Sequence, residues 1–566
     1  MDANHVDAAG RTRRSLAAFA EHSEAWRLRA HARTAGTASA WRELADTLAR
    51  RARPKGALIA YTRAARRDPI EVRARHAAAE LHREADDPAA AKPLYHAILA
   101  INPHDPDACA RLGAILAEES MAHAVPAEGY LRRAHHLGAE PREALVPLCR
   151  LLAAQERDRE IVQLTAGHTD TATVDQRLQA QAALGDLDGA ADTACAALRA
   201  HPHHPVAWYN LAALRRYTRA PAEATRDHGG DALACVREKA ERSTGELREA
   251  YAFALAGMLE GEGRFADAWA WYETANASVH ARLGSDVAAV EDAETRTLRT
   301  FTASTLDRLG RAGIRTSGAV PIFIVGMPRS GTTLVERLLA AHDAVAPLGE
   351  RADLVEARDH APVIGDGRDL PWPERAAVVS PLTTGATAGS YIKRVNALTP
   401  PATRFAVDKH LANSRLIGLI AAALPQARIV HVRRDPRDIM ASCFTARFHR
   451  GLSWSFDLDD IARRQASHDR LMAHWRRVLP PARLLEVRYE ALVREPDRVG
   501  RDIADFCGFT WNPGAAGGHA ATAAPVRTSS VRQVRDAISE RSVGRWRRFP
   551  GLAARFGQDA LSPDGA

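Results

Sequence analysis

The sequence predicts two architectures in series: an all-α helical solenoid, followed by an α/β domain built on a parallel sheet. Three observations carry this. Residues from about 10 to 308 are rich in Ala and Arg and read as helices of roughly a dozen residues joined by short polar turns. Within that stretch, residues 34 apart match one another. From Pro321 onward, apolar runs alternate with helical segments, beginning with the strand, turn and helix of PIFIVGMPRSGTTLVERLL. At 566 residues the chain exceeds one ordinary domain, and two or three compact units are expected.

In the first half, Ala45 pairs with Ala79, Ala57 with Ala91, Tyr61 with Tyr95 and Pro69 with Pro103. Small residues at fixed offsets let two helices approach closely, and the proline closes each unit. Trp41-Arg42-Glu43-Leu44 and Trp208-Tyr209-Asn210-Leu211 supply a repeated Trp-x-x-Leu opening, so this half resembles the tetratricopeptide repeat. The period continues less regularly through Tyr130 and Pro141, through Ala190-Ala191 to Pro202, and in Gly263 to Ala268 followed by Tyr272. Such a solenoid presents a concave groove suited to an extended peptide or a partner protein's terminus. A scaffold that only positions or dimerises the second half is the alternative. The small, polar segment 309–320 is the expected linker, which leaves 321–566 as the α/β domain.

That domain opens with the turn Gly326-Met327-Pro328-Arg329-Ser330-Gly331. A glycine-bounded turn at a helix N-terminus aims backbone N–H groups at an anion, and the helix dipole adds to the attraction. Thr332 stands where a nucleotide triphosphatase carries its lysine, so the usual pairing with β- and γ-phosphates and Mg²⁺ is not expected. Arg329 offers a guanidinium fork instead, and Ser330, Thr332 and Thr333 offer hydroxyls. Buried strands are expected at Phe405-Ala406-Val407, Arg428 to Val432 and Leu484 to Val487. In a parallel sheet, ligands bind beyond the carboxyl ends of the strands. At one such end lies RRDPRDIMAS, in which Asp435 caps the next helix, Pro436 opens it, and Arg434 and Ser442 converge on one anion.

These motifs together resemble the sulfotransferases that use 3′-phosphoadenosine 5′-phosphosulfate (PAPS), in particular bacterial tetratricopeptide-repeat sulfotransferases and, through them, the protein-tyrosine sulfotransferases. The resemblance implies a P-loop-like fold. It implies that the Arg329-Ser330-Gly331-Thr332-Thr333 turn binds the 5′-phosphosulfate, and that Arg434, with Ser442 eight residues later, binds the 3′-phosphate. Lys409, in Asp408-Lys409-His410-Leu411, occupies the position of a lysine that contacts the transferring or leaving group; the family's usual Asp-Lys-Met-Pro is altered here. Glu350, in a Gly-Glu pair 21 residues after Arg329, matches the general base of the tyrosine-sulfating relatives. Tyr489 matches a position near the nucleotide. Residues 527–546 resemble an element that closes over PAPS, with Ser530 at the phosphosulfate and Arg545 on the 3′-phosphate side. Pro513 to Pro525, rich in Gly and Ala, reads as a lid hinge or a long loop.

The chemistry agrees with these residues. A sulfuryl group carries less charge than a γ-phosphoryl, so donors aimed at the leaving phosphate replace a metal clamp, and no metal is expected. The attacking hydroxyl needs a base. His410 ranks behind Glu350, because neighbouring side chains diverge and the family's other histidine base has Lys-x-His spacing. His431, inside an apolar strand, reads as a packed core histidine.

The net charge of +8 suits an anionic ligand but is spread over a long chain, which favours a small phosphorylated ligand over nucleic acid. Six widely spaced cysteines without a C-x-x-C pair, a polar opening at Met1 to His5 and the lack of any membrane-spanning run predict a cytoplasmic location. Protein tyrosine, carbohydrate and small-molecule hydroxyls all suit this donor machinery as acceptors. Two further readings stand beside it: a P-loop kinase that has lost its lysine, and a non-catalytic repeat scaffold with a degenerate nucleotide domain. Oligomeric state is open.

Overall fold

The structure is a computed structural model that describes residues 24–119, 123–155, 157–202, 204–214, 232–316, 318–363, 370–448, 451–512 and 538–556. Contacts divide the chain into two compact units, Met1–Gln155 and Glu156–Ala566.

In the first unit, helices pair antiparallel along the sequence: Ala38–Arg50 with Pro54–Arg67, Val72–Glu84 with Pro88–Ile101, and Pro106–Glu119 with Ala124–His136. Prolines open three of them, where the missing N–H costs nothing, and the side-chain oxygens of Thr37, Glu71 and Asp87 cap Ala38–Arg50, Val72–Glu84 and Pro88–Ile101. The matched alanines Ala45, Ala79, Ala57 and Ala91 are all fully buried at the helix crossings. The matched tyrosines repeat a hydrogen bond as well. Tyr61 Oη donates to Asp46 Oδ1 at 2.6 Å, and Tyr95 Oη donates to Glu80 Oε1 at 2.7 Å, with both partners displaced by one 34-residue period.

The second unit begins with further helices, from Asp158–Leu164 to Ala303–Gly310, and continues into a five-stranded parallel sheet in the order β2-β3-β1-β4-β5. The strands are β1 (Val320–Gly326), β2 (Val345–Gly349), β3 (Phe405–Asp408), β4 (Arg428–Arg433) and β5 (Leu484–Arg488). Four coincide with the expected apolar runs. The fifth, β2, is a short edge strand containing Pro347, and its pairing with β3 is irregular between Pro347 and Gly349. A proline is tolerated at an edge, which is why this strand carries little sequence signal.

Helices cover both faces of the sheet, so β1 is buried along nearly its whole length. Ile322 and Ile324 face a cluster with Leu338, Ile503 and Trp511; Phe323 and Val325 face another with Tyr391, Ile417 and Trp475. A third cluster joins Tyr251, Trp269 and Tyr272 of the preceding helices to Met327, Phe444, Trp546 and Phe549. Ahead of β1, Leu309 is buried in the cluster with Phe323 and Tyr391, and Ile314 N donates to Ala423 O at 2.9 Å. Among the described residues, no helix is long and apolar enough to cross a membrane.

Candidate functional site

Parallel register brings the site together. Gly349 lies opposite Asp408, so Glu350 and Lys409 leave neighbouring strand ends. Gly326 lies opposite Val432, which sets the glycine turn beside Arg434. Arg433 lies opposite Arg488, which sets Tyr489 beside Arg434. Five strand ends thus deliver five predicted site segments to one edge, on both sides of central β1, where the chain switches direction across the sheet.

The turn itself is tightly built. Arg329 has φ 68° and Gly331 φ 105°, two left-handed residues that reverse the chain before the helix Thr332–Ala340. At Gly326 a Cβ would sit 2.6 Å from Ser330 Oγ, and at Gly331 it would sit 2.5 Å from Tyr489 Cδ2. Both glycines are therefore required by space, and the second by conformation as well. Ser330 is fully buried, and its Oγ has no hydrogen-bond partner among the described residues. Thr332 and Thr333 are buried in the first turn of the helix.

Around the turn, Arg329 Nε donates to Ser442 Oγ at 2.8 Å, and Arg434 Nη1 donates to the Arg329 carbonyl at 2.9 Å. The Arg434 guanidinium lies over the Tyr489 ring, 4.4 Å from its centroid, and its Nε is buried with no partner among the described residues. Asp435 caps the helix Pro436–Phe444 as expected, its side chain accepting from Arg437 N at 2.8 Å, which fixes Ser442 relative to Arg434. Burial, with Arg434 and Arg545 nearby, presses the Arg329 guanidinium down to about 10. Three cations gathered this closely favour an anion among them.

Arg545 is held from another direction. It forks onto Glu260, with Nη2 at 2.7 and 2.9 Å from the two carboxylate oxygens, and donates to Thr445 Oγ1 at 3.0 Å. Ser530 and the stretches 513–525 and 527–534 lie outside the described residues.

On the other side of β1, Lys409 is fully buried and donates to Glu350 Oε1 at 2.6 Å. The Glu350 side chain keeps 35% of its surface exposed, so part of this carboxylate is open to solvent. His410 is adjacent; burial lowers its imidazole, and its Nδ1 has no partner among the described residues. Behind the pair sits Glu336, on the helix that follows the turn. It accepts from Gly349 N at 3.0 Å and lies 3.9 Å from Lys409 Nζ. Burial pushes its carboxyl up to about 7, against the pull of Lys409. Asp408, also buried and pushed up to about 6, accepts from Tyr391 Oη at 3.0 Å and Asn413 Nδ2 at 2.7 Å, which anchors the chain entering Lys409. His431 is indeed a core residue, 3.3 Å from His468 across the two Nε2 atoms.

Sequence reasoning missed Glu336 and Glu260. The first had a signal, a charge inside the apolar helix run Leu334-Val335-Glu336-Arg337-Leu338. The second had none, since its partner is 285 residues away.

Residues 321–513 match the model of the sulfotransferase family. An uncharacterized protein of Aquifex aeolicus (strain VF5) is 33% identical over 261 residues, which is 45% of this chain and 34% of that protein, so the chain spans about a third of the length of that curated relative. Among solved structures, the chain is similar to a sulfotransferase domain from the curacin biosynthetic pathway, at 17% identity and TM-score 0.30, covering 43% of this chain and 98% of that one. A mouse sulfotransferase complexed with PAP shows 14% identity and TM-score 0.27, covering 45% and 87%. YrrB, a TPR protein with a peptide-binding site, shows 20% identity and TM-score 0.23, covering 37% and 96%. The chain thus consists of helical repeats followed by an α/β domain on a parallel five-stranded sheet whose residues 321–513 match the sulfotransferase family, with the predicted site segments at the carboxyl ends of its strands.

Proposed function

We propose that this chain is a PAPS-dependent sulfotransferase whose acceptor is a hydroxyl, first of all a protein tyrosine presented by the helical repeats 10–308, with 309–320 as the junction to the catalytic half. The observation that carries the reading is the convergence of Arg329, Arg434 and Ser442 on the glycine turn, at 2.8 and 2.9 Å from one another's groups. The buried Ser330 Oγ and Arg434 Nε, without partners among the described residues, fit an anionic ligand, because polar atoms this deep ordinarily have partners.

When bound, PAPS supplies a sulfuryl group and a 3′,5′-bisphosphate (PAP) leaving group. The residues of the turn, Ser330 to Thr333, hold the 5′ side through hydroxyls and backbone N–H groups at a helix N-terminus. Arg434 and Ser442 hold the 3′-phosphate, Tyr489 flanks the nucleotide, Arg545 adds charge on the 3′-phosphate side, and Ser530, outside the described residues, is the further contact to the phosphosulfate that the resemblance implies. Arg329 and Lys409 offset the charge left on the 5′-phosphate oxygen as its bond to sulfur breaks and the bond from sulfur to the acceptor oxygen forms. Glu350 takes the acceptor's proton. Its exposure and its 2.6 Å bond to Lys409, which orients the carboxylate, suit that task. His410 is the second candidate base, favoured by its lowered imidazole and unpartnered Nδ1.

Calorimetry with PAP, and transfer of labelled sulfate from PAPS to tyrosine peptides, glycans and small-molecule hydroxyls offered in parallel, tests the proposal. Binding of PAP and labelling of the peptides supports it. Labelling of glycans or small molecules alone moves the acceptor to those classes, and a chain that binds neither PAPS nor PAP overturns the reading in favour of a scaffold.

A further inference from the structure

The tyrosine–carboxylate bond of the first repeats recurs once more near the end of the helical segment, with a third partner added. Tyr272 Oη, on the helix Phe265–Leu283, donates to Glu260 Oε2 at 3.1 Å, as Tyr61 does to Asp46 and Tyr95 to Glu80. In this copy the carboxylate also receives both bonds of the Arg545 fork, at 2.7 and 2.9 Å. Glu260 lies at the end of the helix Gly245–Gly261 and is mostly buried, with 11% of its side chain exposed.

Residues 542–546 are in turn stitched to the helix that carries Ser442. Asp438, fully buried in the first turn of that helix, accepts from Gly544 N at 2.7 Å and Trp546 N at 3.1 Å. Arg434 donates to the Ser542 carbonyl. Arg545 closes the arrangement by bonding Thr445, the residue that ends the same helix. The guanidinium stands over the Phe549 ring, 5.1 Å from its centroid, with a ring packed on one face and a carboxylate at its tip. Burial opposes charge on Arg545, and Glu260 and Tyr272 more than offset it, which keeps a third cation beside Arg329 and Arg434. Glu260 bonds the guanidinium directly, and Asp438 adds a weaker attraction.

We propose that Glu260 is a positioning residue of the donor site, acting through Arg545, so that the helical pair Gly245–Gly261 and Phe265–Leu283 is a working part of the nucleotide site rather than a presenter of acceptor alone. This rests on the PAPS reading above. Glu260 sets the direction of the guanidinium, Tyr272 sets the carboxylate, and Thr445 ties both to the end of the Ser442 helix.

The test is a double-mutant cycle on the full chain, read as PAP affinity by calorimetry. E260Q, which keeps the shape and loses the charge, should weaken PAP binding about tenfold, and R545A should weaken it at least as much. In the R545A background, E260Q should have no further effect. Y272F keeps the packed ring and removes the donor to Glu260, so it should give a smaller loss of about threefold that also vanishes with R545A; it carries the test if E260Q fails to fold. Wild-type affinity in E260Q, or losses that multiply with R545A, overturns the proposal while leaving the PAPS reading intact. Wild-type protein that binds no PAP overturns both.

Discussion

Lys409 Nζ and Glu350 Oε1 lie 2.6 Å apart, at the ends of adjacent parallel strands, with the ammonium fully buried and the carboxylate half-open. In the proposed reaction Lys409 faces the leaving group and Glu350 the acceptor, so a single contact would couple the two proton and charge movements of sulfuryl transfer. Substituting either member disturbs the other.

Glu350→Gln should lower kcat by about 10²- to 10⁴-fold, with PAP affinity changed only a few-fold, because a general base acts in the transition state. Steady-state kinetics with a labelled acceptor, beside calorimetry, measures both. If E350Q keeps its turnover and His410→Ala loses it, the base is His410.

Arg434→Ala should act chiefly on the nucleotide. Losing charge-assisted bonds of about 1.5–3 kcal/mol predicts a fall in PAP affinity of roughly one to two orders of magnitude. Arg329→Ala should act mainly on turnover, with Ser442 losing the partner now 2.8 Å away. Comparing PAP affinity with kcat for the two variants separates the roles.

Gly331→Ala combines a left-handed backbone at φ 105° with a Cβ placed 2.5 Å from the Tyr489 ring. A cost of about 1–3 kcal/mol in stability is expected from the backbone alone, together with weaker PAP binding as the turn shifts. Thermal unfolding of G331A, alone and with Tyr489→Ala, measures how much of the cost is the ring clash; the backbone part should persist in the double variant.

Glu336 makes a prediction about pH. Its carboxyl is raised from the ordinary 4.5 to about 7, mainly by burial, in an environment that also holds Lys409, Glu350 and Asp408. The folded protein therefore binds this proton more tightly than the unfolded chain does. Stability from this group is fully present below about 4.5 and is lost as pH rises through about 7. Asp408, raised to about 6, works in the same direction. Chemical denaturation of wild type and Glu336→Gln across pH 5 to 8 should show a smaller decline with pH in the variant.

How much could be read in advance varied from element to element. The glycine turn announced itself because Gly326 and Gly331 leave no room for a Cβ, a demand that residue type alone reveals. The Asp435 cap and Pro436 were equally visible, since capping is settled within a few residues. The repeat was visible through alanines that lie at helix crossings and are fully buried. By contrast, β2 was missed, because a five-residue edge strand with a proline has neither a buried run nor a clean alternation.

The sequence by itself determined the local parts of this protein: helical pairs at a 34-residue period, a turn shaped for an anion, and a capped helix that carries Ser442 eight residues after Arg434. The tertiary structure decided which of these parts meet. Parallel register set Glu350 beside Lys409 and Tyr489 beside Arg434, and burial pushed Glu336 up to about 7. It also joined Arg545 to Glu260 across 285 residues. Spacing along a chain reports only contacts made within a few residues. Charges that meet from distant segments are brought together by the packing of strands and helices, and the desolvation that tunes them exists only once that packing is complete.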